Sequence, residues 1–129
     1  MVSPFADIRM EYVRPPLARS APRPRVLSAE AEALRARLPS RCYSVGLSQE
    51  GRQLDSAGFA RWLDSRRADS LPLAFLVGGV FGLAPEMKRE CRQTLSLSQL
   101  TFSHRIALVV LLEQLYRAST ILTGHPYHK

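Results

Sequence analysis

The sequence predicts an α/β fold built on a mostly parallel sheet with helices on both faces, and three observations lead there. Strand-like and helix-like patterns alternate along the 129 residues. The run "LAFLVGG", residues 73–79, is apolar throughout and ends in paired glycines, as strands buried on both faces do. A long apolar helix is expected at 103–122, and its stretch 106–112 is apolar on every side, so it must be covered all round. In so small a chain a second copy is the simplest cover, so a homodimer is expected. At this length and 46% hydrophobic content, residues 1–129 are expected to form one domain with a real core.

"DIRMEYV", 7–13, alternates Ile8, Met10 and Tyr12 with charged residues and reads as an edge strand. "RPPLARSAPRPR", 14–25, holds four prolines and four arginines and is expected to be a mobile basic loop, either a plain linker or an arm that tracks phosphate. Ser28 can N-cap a helix that runs to about Leu38 and is ended by Pro39. A short strand follows at 42–47, then a turn at Gly51, then an amphipathic helix from Ser56 to about Arg66 carrying Phe59, Trp62 and Leu63 on one face. Pro85 suits the first turn of a helix over 86–92, and 95–102 alternates weakly.

A net charge of +7 favours a polyanionic partner, although 16 of the 18 basic residues are Arg, a skew that genome composition alone can produce. Cys42 and Cys91 form neither a disulfide framework nor a zinc pattern and read as reduced thiols of a cytosolic protein. The apolar stretches 71–84 and 106–112 are too short to span a bilayer, so no membrane partner is expected. His125 and His128 form H-x-x-H, but only two ligands are local, so no metal is assigned. Ligands of open parallel sheets bind beyond the carboxyl ends of the strands, which directs attention to Leu47, to Gly78 and Gly79, and to the loop 97–102. The ending "TGHPYHK", with its imidazoles and ring, suggests a tail that touches something.

The segments "LSLSQLTFSH", "EQLYRA" and "HPYHK", within a strong match over 71–129, resemble the SPOUT-class pseudouridine N3-methyltransferases of bacterial large-subunit ribosomal RNA. "LSAEAEALRARLP" and "GLSQEGRQLDSAGFA" extend the resemblance more loosely through 7–70. It implies a deep C-terminal trefoil knot, which general topology rules would have argued against. It also implies a homodimer, S-adenosylmethionine as cofactor, ribosomal RNA in the assembled ribosome as substrate, and a cytoplasmic location.

Carried over by motif, the cofactor would contact Leu47, Gly78, Leu97, Ser98, Gln99, Leu100, Thr101 and Phe102. His104 and His128 would hold or deprotonate the uracil-like ring, Tyr127 would stack on a splayed base, and Arg117 with the partner's tail would complete the site within reach of Lys129 and phosphate. Two departures stand out. A preceding strand and helix of the family are expected to be missing, and an arginine the family places four residues after His104 is Leu108. Both bear on turnover more than on cofactor binding, so a module that binds cofactor and RNA without turnover stands as the second reading.

Overall fold

The computed structural model describes residues 8–14, 17, 20–124 and 126–127. Four helices, α1 (Arg23–Arg37), α2 (Ser56–Arg66), α3 (Pro85–Glu90) and α4 (His104–Thr123), alternate with three strands, β1 (Tyr43–Gln53), β2 (Leu73–Leu76) and β3 (Gln93–Ser96). A 3₁₀ turn, Arg67–Asp69, follows α2. The strands form one parallel sheet in the order β2-β1-β3, so all three leave it at the same edge.

Alternation along the central strand sorts the core into two layers. Val45 faces α2 and α4, where it meets Phe59, Ala60, Trp62, Leu63, Leu111 and Ala118. The opposite face turns Gly46 toward Leu83 and Cys91, and there α1 and α3 bury Ala31, Leu76, Leu83, Ala84 and Met87. Arg35 clasps Glu90 in a bidentate ion pair across α1 and α3, at 2.8–3.1 Å. The caps follow the sequence. The Asp55 carboxylate accepts from the Gly58 N–H at 2.6 Å, Ser103 caps α4, and Gly124 ends it at φ 73°.

Several boundaries differ from expectation. Residues 8–14 take no regular structure, and Ile8, Met10 and Tyr12 stay 56%, 59% and 71% exposed. Alternation alone does not make a strand without a sheet edge to pair with, and the described neighbours offer none. The basic segment is shorter than 14–25 because α1 starts at Arg23, with Pro22 as its N-cap and Pro24 inside its first turn. Proline is tolerated there since its missing N–H would have had no partner. Ser28 therefore lies within the helix. β1 runs on past 47, but Leu47 and Arg52 both align with Leu95, so residues 48–51 bulge out between them. Gly51 makes the re-entry possible, because a Cβ there would lie 2.7–2.8 Å from backbone atoms of Thr94 and Leu95. α3 is shorter than expected, ending at Glu90, and the weak alternation of 95–102 yields strand only through Ser96, with 97–102 a loop as expected.

α4 also corrects the estimate of apolar length. Over its 20 residues it is long and apolar enough by composition to cross a membrane. Its packed side, Leu111 and Ala118 with Leu115, Ile121 and Leu122 around them, instead lies in the core with α2. The other side carries Ile106 at 52% and Val109 at 62% exposure, so this chain covers only half of the apolar helix.

Candidate functional site

Because the strands are parallel, the bulge that follows Leu47 and the loops that follow Leu76 and Ser96 stand side by side along one sheet edge. The connection from β1 enters α2 on one face of the sheet, whereas that from β2 enters α3 on the other. Divergence of adjacent connections opens the crevice in which such sheets hold ligands. The expected contacts at Leu47, at Gly78 and in 97–102 thus share one edge of the molecule.

The bulge of β1 and the loop after β3 are tied together. The Gln49 amide Nε2 donates to the Gln99 carbonyl at 3.2 Å and to Thr101 Oγ1 at 2.7 Å. Inside the loop, the Ser96 hydroxyl donates to the Ser98 carbonyl at 2.9 Å, and the Leu100 N–H donates to Ser98 Oγ at 3.0 Å. Leu100 is exposed, Phe102 half-buried. Beneath the loop a cavity of about 320 Å³ is walled by Leu47, Phe59, Leu95, Leu97, Val110 and Gln114, among others. Leu47 and Leu97 therefore meet in one cavity, and Gly78 is not among its walls.

Gly78 is a glycine for a reason internal to its loop. A Cβ on it would lie 2.3 Å from the Gly82 carbonyl carbon and 2.5 Å from the Leu83 nitrogen. The 77–84 loop folds back on itself there, with Gly79 bridging Gly82. The space at this position is taken by the protein's own backbone, and a ligand can reach only the outer side of the turn. Beside it, the carboxylate of Glu30 on α1 lies against Gly79. Burial raises the Glu30 pKa, and the charge of His104 opposes that shift.

His104 opens α4 and is half-buried at the same end as the strand exits. Arg117 and Tyr127 gather elsewhere. Tyr127 Oη donates to Glu113 Oε2 at 3.1 Å, and its ring stands edge-on to Tyr116 with centroids 4.9 Å apart. The Arg117 guanidinium lies 4.9 Å from the Tyr127 centroid and pairs with Glu113 at 3.2 Å. The hydrogen bond to Glu113 is the chief cause that raises the Tyr127 pKa. His104 and Arg117 occupy the same helix, and the intervening residues place them roughly 20 Å apart along its axis. Within one chain these two groups do not share a site. His128, also expected there, lies outside the described residues, as do His125 and Lys129.

Three contributors were not among the expected site residues: Glu113, Gln49 and Glu30. Glu113 and Arg117 stand at i and i+4, a spacing that signals a helical ion pair and points to Glu113 from sequence alone. Gln49 and Glu30 act across long stretches of chain, through a bulge and a loop turn that no local pattern encodes.

The family model described as "Predicted SPOUT methyltransferase" matches residues 1–128. "Ribosomal RNA large subunit methyltransferase H" of Rhodopseudomonas palustris (strain BisB18) is 44% identical over 113 residues, covering 87% of this chain and 71% of the relative. The protein of the same name from Afipia carboxidovorans is 43% identical over 121 residues, 93% of this chain and 76% of the relative. That of Gemmatimonas aurantiaca is 45% identical over 104 residues, 81% and 68% respectively.

Proposed function

The chain belongs to the SPOUT methyltransferase family, and on that premise we propose that it transfers a methyl group from S-adenosylmethionine to N3 of a pseudouridine in large-subunit ribosomal RNA. The observation that carries the reading is the edge of the sheet at which the three strand exits stand, with loop 97–102 pinned by Gln49. Loop amides and carbonyls beside apolar Leu47 and Leu97 suit an adenosine, which needs polar backbone contacts at its base edge and apolar cover on its faces. The Glu30 carboxylate beside Gly79, whose Oε1 has no hydrogen-bond partner among the described residues, would supply an anionic group to a cofactor that carries positive charge.

When bound, the cofactor supplies an electrophilic methyl group on a sulfonium. The protein's part is to hold the ring with N3 in line and to remove one proton. For N3 to accept that methyl group, its own proton would have to leave. His104, half-buried at the first position of α4, is the candidate to accept it as general base. His128 is the second candidate. Tyr127 offers a stacking face for the extruded base, and Arg117 a cation for the adjoining phosphate.

The span of α4 between His104 and Arg117 favours a site made by two chains. In an antiparallel pair of α4 helices, the tail of one copy meets the strand exits of the other. The exposed stripe of Ile106 and Val109 on that helix suits such a homodimer. The proposal includes the knotted path of the C-terminal segment and a cytoplasmic location, where the ribosome is. Calorimetry with S-adenosylmethionine, then methyl transfer to ribosomes that lack the modification, tests the function. Methylation at another position or of another RNA would refute the assignment to N3, and absence of cofactor binding would refute the whole.

A further inference from the structure

Among the described residues, three buried side-chain atoms lack a hydrogen-bond partner: Glu30 Oε1, Arg66 Nε and Asp69 Oδ2. The last two belong to side chains that pair with each other, Arg66 Nη1 lying 3.4 Å from Asp69 Oδ2. Glu30 has no such relief. Its carboxylate is fitted against the glycine turn so closely that a Cβ on Gly79 would fall 2.7 Å from Oε2 and 3.2 Å from Oε1. Arg23, the cation two turns earlier on α1, is engaged over the Phe81 ring at 5.2 Å. Among the described residues, no ion pair reaches the half-buried Glu30 carboxylate, whose Oε1 is shut off from solvent without a hydrogen-bond partner, at the exit of β2 and within the electrostatic reach of His104. Natural structures rarely leave a buried acceptor in that state, and a water, an ion or a ligand donor supplies the missing bond.

Resting on the cofactor reading above, we propose that Glu30 receives the α-ammonium group of S-adenosylmethionine at the Gly79 turn. Of the cofactor's groups, the ribose and adenine carry no formal charge, and the sulfonium has charge but no N–H. The ammonium has both, with three donors and no acceptor, and complements a carboxylate that lacks a partner. Proximity to His104 puts this anchor at the methyl-donating end, so it fixes the methionyl arm while the adenosine is held by loop 97–102.

The test is isothermal calorimetry with S-adenosylhomocysteine and with its deaminated analogue, in which hydrogen replaces the amino group. Both are titrated into the unmodified protein, Glu30→Gln and Glu30→Asp. Loss of the amino group should weaken binding to the unmodified protein roughly 10–100-fold, the range for a hydrogen bond to a charged group. In Glu30→Gln the two ligands should bind nearly alike, both close to the unmodified protein's affinity for the deaminated one, and Glu30→Asp should fall between. Equal binding of the two ligands by the unmodified protein overturns the proposal without reference to any variant. So does a Glu30→Gln variant that keeps the full discrimination. Failure of the unmodified protein to bind S-adenosylmethionine or S-adenosylhomocysteine at all would instead overturn the cofactor reading, and this inference with it.

Discussion

Replacing Gly78 by Ala should destabilise the protein before any ligand is considered. The added methyl would lie 2.3 Å from the Gly82 carbonyl carbon, 2.5 Å from the Leu83 nitrogen and 2.6 Å from the Gly82 oxygen. All three are backbone atoms of the same turn, so none can swing aside as a side-chain tip would. Leu83, the next residue in the loop, is 5% exposed and belongs to the core layer shared with Ala31 and Met87, so a displaced turn drags on that layer. Overpacking of this kind costs roughly 1–3 kcal/mol, and the rigid neighbours place it toward the upper end. For a chain of this size that is a fall of roughly 5–12 °C in Tm. Gly79→Ala is the control, because the three atoms nearest its new methyl all belong to the carboxylate of Glu30, which can rotate away. It should melt closer to the unmodified protein yet weaken cofactor binding by displacing Glu30. Thermal melts without cofactor, followed by calorimetry, separate the two. A Gly78→Ala variant that melts with the unmodified protein while losing the cofactor would refute the reasoning, and would return Gly78 to the role of a ligand-facing glycine.

Three further outcomes are expected. Gln49→Ala removes both ties to loop 97–101 and should weaken S-adenosylmethionine binding by roughly 3–10-fold, about one hydrogen bond's worth, with Tm little changed. Tyr127→Phe loses the hydroxyl held by Glu113 but keeps the ring beside Tyr116 and Arg117; it should bind ribosomal RNA better than Tyr127→Ala, which forfeits a stacking platform worth about 1–3 kcal/mol. Glu30 has its pKa raised above the ordinary 4.5 by burial. The fold therefore favours its neutral form, and its relative contribution to stability falls as pH rises through the raised value. Glu30→Gln should then melt higher than the unmodified protein at neutral pH without cofactor, and the gap should close as pH is lowered below 4.5. A gap that persists or widens in acid would contradict this.

The parts of the fold that were legible in the sequence are those fixed by short-range chemistry. Helix α2 starts and stops where Asp55, Phe59, Trp62 and Leu63 place it, and α4 runs between Ser103 and Gly124 as caps dictate. Pro85 opens α3 as expected. What could not be read depended on partners distant in sequence. Ile8, Met10 and Tyr12 carry a strand's alternation, but pairing is a tertiary decision. Arg23 and Pro24 look like loop in isolation and enter α1 because its face docks on Leu76, Leu83 and Met87. Leu47 and loop 97–102 were expected at the site from their position at strand ends, and the structure shows Leu47 and Leu97 lining one cavity. The separation of His104 from Arg117 was implicit in their spacing on one helix, and it acquires meaning only once that helix is seen to be continuous. Glu30 left no local signal, since its isolation is created by the return of the 77–84 loop.

The central claim is that the methyl-transfer site joins the strand exits and His104 of one chain to Arg117 and Tyr127 of another. Mixing two inactive variants tests it most directly: His104→Ala, damaged at the exits, and Arg117→Ala, damaged at the tail. The two are unfolded together, refolded as a mixture, and assayed for methyl transfer to ribosomes beside each variant refolded alone. If sites are shared across a two-fold axis, half the dimers are mixed and one site in each is intact, so the mixture should recover roughly a quarter of the unmodified activity. A mixture no more active than its separate components, with dimers verified by light scattering, would contradict the account.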